Sequence, residues 1–158
     1  MRHTCSFATA LGRIDLAWTA EGICGLRFTD GRPEHEDKEA PAWVLEAIRK
    51  LMAHLAGHHQ DLSSVPLDLT DLTPFQRQVA GILRTTQPGQ IISYGEVALL
   101  AGRPGAARAV GQAVKGNPIL ILVPCHRVVA ASGPGGWSAF GSPERKAHLL
   151  ELERLTGD

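Results

Sequence analysis

The sequence predicts an α/β (α+β) protein built in two small halves, a β-meander with one packed helix followed by a helical half holding a helix-turn-helix. Three observations predict it. Short runs of apolar and β-branched residues fill 5–28, one apolar stripe of helical period fills 41–57, and three punctuated helical segments follow between 73 and 116. At 158 residues, with 44% hydrophobic and 20% charged residues, the chain can bury a core without staples.

In order, Leu11-Gly12 and Glu21-Gly22 separate about three strands. Residues 29–40 are polar and acidic and form a loop. Trp43, Val44, Ala47, Ile48, Leu51, Met52 and Leu55 then make one stripe of an amphipathic helix, opened by Pro41 and ended by Gly57. Residues 58–72 read as a linker with a short extended piece, and the domain boundary falls near 70, dividing the chain into 1–70 and 71–158. Thr73-Pro74-Phe75-Gln76 is a capping box with proline at the first helical position, backed by Phe75, Val79, Ile82 and Leu83. Pro88-Gly89 turns the chain before Ile91 and Ile92. Ser93-Tyr94-Gly95-Glu96 is a second capping box, and Gly102 closes its helix. After Arg103-Pro104-Gly105 a third helix runs from Ala106 to Lys115, closed by Gly116. Two short helices joined by a tight turn resemble a helix-turn-helix with the second as the reading helix. Ile119 to Val123 is a buried, strand-like run.

Composition excludes several classes. The longest apolar runs, Val97 to Ala101 and Ile119 to Val123, are five residues each, far short of the roughly 20 needed to span a bilayer. Arg2 and His3, then Gly12, Arg13 and Asp15, argue against a signal peptide. Three cysteines argue against a disulfide scaffold and for a reduced, cytoplasmic protein. Net charge is zero, yet residues 1–72 hold seven Lys or Arg against eleven Asp or Glu, and residues 73–158 hold nine against five. A phosphate-binding face on the second half is one reading and a solvated charged surface the other. The reading helix carries small residues, Ala107, Ala109, Gly111 and Ala113, with Arg108 as its main long cation before Lys115. That suits close packing on a neighbouring helix, or a shape and minor-groove binder with one inserted side chain.

Pro124-Cys125-His126-Arg127-Val128 then carries the chemistry. A cysteine beside histidine and arginine suggests a stabilised thiolate, against the alternative of an inert buried thiol. Neighbours on a strand point apart, so a bend after Pro124 is needed to bring thiol and imidazole together.

These residues, preceded by Gly116-Asn117-Pro118, resemble the active-site signature of the methylated-DNA–protein-cysteine methyltransferases, the O6-alkylguanine-DNA alkyltransferase family. Phe75-Gln76-Arg77-Gln78-Val79, Ile92-Ser93-Tyr94, Ala107-Arg108-Ala109-Val110-Gly111, Gly136-Trp137-Ser138-Ala139 and Lys146 to Glu153 extend the match through the second half. The first half is only loosely similar. The resemblance implies a ribonuclease-H-like first half and a winged helix-turn-helix-like second half.

It also implies direct repair of O6-alkylguanine, chiefly O6-methylguanine and also O4-methylthymine, by one irreversible transfer of the alkyl group to Cys125. His126 is then the base through a bridging water, Glu153 its orienter, and Asn117 the brace of the active-site turn. Tyr94 hydrogen-bonds guanine N3 and crowds the 3′ phosphate, and Ser138 donates to O6. The carbonyls of Cys125 and Val128 take the exocyclic amine, and Trp137 joins Val128 and Ser138 in the base pocket. The nucleotide leaves the stack, with Arg108 filling its place. Ala107, Ala109 and Gly111 lie in the minor groove, with Gln76, Gly95 and Lys115 as backbone neighbours. The implied partner is duplex DNA carrying alkylated guanine, bound by a monomer without a cofactor.

No metal is expected. Some members of that family hold zinc on two Cys and two His. Cys24 aligns with one ligand, Cys5 does not, and Pro66 with Val65 stands where a histidine is needed. Cys5 and Cys24 then read as packing residues on neighbouring strands. His54, His58 and His59 have metal-like spacing, but a helix dipole explains them more cheaply. The loop Ser138-Ala139-Phe140-Gly141-Ser142 departs from the Ser-Gly-Gly of many relatives, leaving the alkyl-size limit open. Three alternatives stand beside the alkyltransferase. They are a sensor that binds alkylated DNA and recruits other repair systems, a winged-helix regulator, and a turnover cysteine hydrolase using Cys125, His126 and Glu153.

Overall fold

The structure is a computed structural model and describes residues 1–31, 39–130 and 143–156. The first half opens with three antiparallel strands, β1 (His3–Thr9), β2 (Gly12–Trp18) and β3 (Ile23–Thr29), in the order β1-β2-β3. The register pairs Phe7 with Ile14 and Leu16 with Leu26, which turns Ile14, Leu16 and Leu26 to the core. Cys5 and Cys24 are half-buried free thiols, but they lie on the two outer strands with β2 between them, so they are not neighbours across a ladder. At the second hairpin Gly22 has φ +157, and a Cβ there would sit 2.6 Å from the Leu67 carbonyl carbon. The linker can therefore cross β3 closely. Ile23 N–H donates to Pro66 O, and Asp68 N–H to Ile23 O.

Helix α1 (Ala42–Leu55) buries Val44, Ala47, Leu51 and Leu55. The stripe is narrower than its sequence suggests, since Met52 is 44% exposed. Helix α2 (Pro74–Leu83) starts at a complete Thr73–Gln76 capping box, and helix α3 (Tyr94–Leu100) at a complete Ser93–Glu96 box. Gly102, at φ +73, ends α3 in the left-handed conformation that glycine adopts without penalty. Helix α4 (Ala107–Lys115) buries Val110 and Val114 and packs across α2 and α3. Helix α5 (Pro143–Thr156) returns to the sheet, where the Arg145 guanidinium lies 4.4 Å above the Phe28 ring and its Nε donates to Leu11 O.

Ile119 to Val123 is not a strand. Leu26 N–H donates to Pro118 O and Leu120 N–H to Leu26 O, so one end docks on β3. The chain then turns back on itself. Leu122 N–H reaches Leu120 O, a three-residue γ-turn about Ile121, whose φ of +71 is strained for a β-branched residue. A uniformly apolar run has no period, which is why sequence cannot separate this buried turn from a strand. A two-residue parallel ladder, β4 (Ile92–Ser93) with β5 (Val128–Val129), links the start of α3 to the residues after the signature. The buried residues of both halves form one continuous core. Among the described residues, no helix is long and apolar enough to cross a membrane.

Candidate active site

Ten consecutive residues, 119–128, are buried, and Cys125 and His126 are both 0% exposed. The bend that the sequence requires is present. Pro124, at φ −78 and ψ 63, lies within a second tight turn closed by Cys125 N–H to Val123 O, and Cys125–Arg127 then form one 3-10 turn. Asn117 braces the segment from inside. Its Nδ2 donates to Val123 O at 3.0 Å and to Ile119 O at 3.4 Å, while its Oδ1 accepts Ile119 N–H at 3.0 Å. Asn117 thus gives the Ile119 N–H an acceptor and adds a second donor to two carbonyls that already accept Val123 N–H and Cys125 N–H.

The expected thiolate is not what this environment holds at rest. Burial pushes the Cys125 thiol up to about 12, against the downward pull of its hydrogen bond with Asn117 and of the Lys146 charge. The adjacent arginine does not help, because it is turned to Glu153. Arg127 Nε donates to Glu153 Oε1 at 2.9 Å and its Nη2 to Oε2 at 2.9 Å, a bidentate pair. Arg127 Nη1 donates to Thr86 O and Oγ1. His126 Nε2 donates to Glu153 Oε1 at 2.8 Å. Burial would raise the Glu153 carboxyl, but His126, His54 and Arg127 hold it well below the usual carboxylate range. Burial pushes His126 down, which keeps its ring neutral and able to take a proton.

Three members of this site are not among the catalytic or binding residues that the sequence points to. His54, on α1, is 3% exposed, and its Nε2 donates to Glu153 Oε2 at 2.8 Å. A helix dipole is therefore not its main partner, although His58 and His59 are exposed beyond the helix end. Arg127 belongs to the quoted signature but serves as the carboxylate clamp. Lys146 is fully buried, donates from Nζ to Val128 O at 3.2 Å, and is lowered to about 8 by burial against the charge of Cys125. A signal for two of them exists in the sequence. His54 follows Leu51 by three residues within the apolar stripe of α1, and Lys146, Leu149 and Glu153 follow a spacing of three and four along α5.

The remaining predicted residues form a second, outward group. Tyr94 is half-buried at the start of α3, and a Cβ at Gly111 would meet its ring at 3.8 Å, so α3 and α4 touch there. Arg108, Ala109 and Lys115 are exposed on α4, Ala107 is half-buried, and Gly95 is exposed one residue after Tyr94. Gln76 has its Oε1 committed to the Thr73 N–H. Val128 is fully buried, and its N–H donates to Cys125 O. Each of the two carbonyls expected to take the guanine amine thus already holds one donor and keeps a second lone pair. Trp137, Ser138 and Phe140 lie outside the described residues.

The arrangement combines a protonated, enclosed nucleophile, a neutral base held by a saturated carboxylate, and a cationic helix nearby in the chain. Residues 74–155 match the sequence family described as 6-O-methylguanine DNA methyltransferase, DNA binding domain. A methylated-DNA–protein-cysteine methyltransferase of Mycobacterium bovis is 49% identical over 158 residues, covering 98% of this chain and 93% of that protein. One from Mycobacterium leprae is 38% identical over 161 residues, with the same coverage of 98% and 93%. The crystal structure of Mycobacterium tuberculosis O6-methylguanine methyltransferase superposes with a TM-score of 0.85 at 39% identity, covering 98% and 93% of the two chains. The Mycobacterium tuberculosis OGT in complex with DNA superposes at 0.82 and 38% identity, covering 96% and 92%.

Proposed function

The chain belongs to the methylated-DNA–protein-cysteine methyltransferase family, and from that premise we propose that it reverses O6-alkylguanine damage in DNA by moving the alkyl group once, irreversibly, to Cys125. The observation that carries the assignment to these residues is the four-donor hold on Glu153, which fixes the ring of His126, kept neutral by burial, next in the chain to the buried thiol. Cys125 Sγ attacks the alkyl carbon, and the carbon–O6 bond breaks as the sulfur–carbon bond forms. His126 takes the thiol proton through a water, and that proton ends on the departing guanine. The products are S-alkylcysteine and guanine, so no external reductant is needed. Raising the thiol to about 12 keeps it protonated until a bound substrate places the alkyl carbon against the sulfur and the proton passes to His126. Lys146 stabilises the charge that then develops on sulfur.

Recognition is assigned to the outward group. The target nucleotide is extruded into the site, Arg108 occupies its place, and Tyr94 contacts guanine N3 and the 3′ phosphate. Small Ala107, Ala109 and Gly111 allow α4 to approach the minor groove, while Gln76, Gly95 and Lys115 face the backbone. Trp137, Ser138 and the Cys125 and Val128 carbonyls complete the base pocket. In this reading residues 1–70 are a ribonuclease-H-like half, and residues 71–158 are a winged helix-turn-helix-like half. The protein acts as a cytoplasmic monomer, in keeping with three free thiols.

The test is the mass of the intact protein after incubation with duplex DNA carrying O6-methylguanine. We expect a gain of one methylene, about 14 Da, on the Cys125 peptide, in a one-to-one burst. Cys125→Ser should bind the duplex and gain nothing. Loss of the lesion with a bare sulfur, or multiple turnovers, would overturn the mechanism. Tight binding without a mass change would point to a sensor.

A further inference from the structure

His54 is costly where it stands. A polar ring buried on the apolar stripe of α1 has given up water, and it is separated by 99 residues from the group that compensates it. Glu153 is ionised, so His54 Nε2 carries the proton of that bond. Glu153 then has two oxygens and four donors. Oε1 accepts from His126 Nε2 and Arg127 Nε, and Oε2 accepts from His54 Nε2 and Arg127 Nη2, all between 2.8 and 2.9 Å. Arg127 bridges both oxygens, and each histidine adds one further donor to one of them. His54 competes with His126 for its negative charge, because the two rings sit on opposite oxygens of one anion.

We propose that His54 is a positioning residue for alkyl transfer, contributed by the first half, which locks Glu153 and sets how strongly that carboxylate supports a proton on His126. The proposal rests on the alkyltransferase reading and deepens it. The groups that bear on His54 and Glu153 come from four places. They are His126 and Arg127 on the signature turn, Cys125 with Lys146 beside it, and His59 with Asp61 from the linker and Arg84 from the end of α2. The last three line, with His54, a cavity of about 280 Å³. The donors on Glu153 named above come from His54, His126 and Arg127, so removing His54 shifts the carboxylate charge toward His126 and Arg127.

The sign follows. With His54 replaced by leucine, imidazolium at His126 is better stabilised, its pKa rises, and neutral His126 is present only at higher pH. Single-turnover rates of methyl transfer from O6-methylguanine duplex are measured from acid to alkaline pH, and the His126 ring is titrated by NMR. For His54→Leu we expect the acid limb of the rate profile and the NMR titration to move together to higher pH. The plateau should fall about ten- to a hundredfold, as when a positioning contact is lost. His54→Gln restores a donor and should recover most of both. Stoichiometry of the burst reports the folded, active fraction for each variant. A leucine variant with the parent limb, losing only stability or active fraction, makes His54 a packing residue and overturns the proposal. So does a glutamine variant as impaired as leucine. A parent protein that never gains the methylene overturns the proposal together with the reading beneath it, so the two failures are told apart.

Discussion

Helix α4 and the turn that follows it are neighbours in the chain and opposites in construction. The helix buries Val110 and Val114 and leaves Arg108, Ala109, Gln112 and Lys115 at the surface. The turn buries every residue from 119 to 128, contains the positive φ of Ile121, and draws partners from α5, Asn117 and Thr86, with His54 of α1 reaching the same Glu153. A surface that meets a polyanion can be sparse, because each side chain acts almost alone. A site that moves a proton beside a buried sulfur has to be assembled from distant pieces, and its members fail together.

That contrast can be broken most severely at Glu153. Glu153→Ala leaves Arg127 buried without its carboxylate and two histidines without their acceptor. We expect a loss of about 3–5 kcal/mol in denaturant melts together with loss of transfer. A variant that keeps full stability would mean that the buried cluster is not cooperative. On the helix the expected effect is smaller and of a different kind. Arg108→Ala should slow repair in duplex DNA by about tenfold or more, consistent with roughly 1.4 kcal/mol of the extrusion cost. It should leave reaction with the free modified base and the melting temperature unchanged. Equal slowing of both substrates would remove Arg108 from extrusion.

The gentlest probe is acid. Both His126 and Glu153 are lowered in the folded state, so each binds its proton more readily once unfolded. The stability from His126 is present above its ordinary value of 6.5 and is lost as pH falls below it, and that from Glu153 is lost in turn below 4.5. Melting temperature should therefore begin to drop below pH 6.5 and drop more steeply below 4.5, and the first phase should vanish in His126→Phe. Flat stability across that range would count against the neutral ring.

What was legible in the sequence divides along the same line. The Thr73 and Ser93 capping boxes and the stop at Gly102 depend on residues within one turn, and each appears where the spacing placed it. Cys125, His126, Asn117 and Glu153 came from the resemblance, and their mutual geometry came from the structure. Ile119 to Val123 has the pattern of a strand and folds as a turn, because burial on all sides erases periodicity. Sequence leaves thiolate and buried thiol both open because the field at Sγ depends on where Arg127 points, and Arg127 points to a residue 26 positions away. His54 and Lys146 are polar residues at apolar positions, a pattern whose meaning depends on a partner that local sequence does not identify.

The two-residue ladder between Ile92–Ser93 and Val128–Val129 carries a mechanical consequence. Tyr94 follows one strand directly, and Cys125 precedes the other by three residues. The gauge between the ring proposed to meet the base and the sulfur proposed to attack the alkyl carbon is thus written in paired peptide groups rather than in side chains. Substitutions on α4 can retune which DNA is engaged while that gauge stays constant. An inserted residue on either strand would detune it even with every named side chain still present.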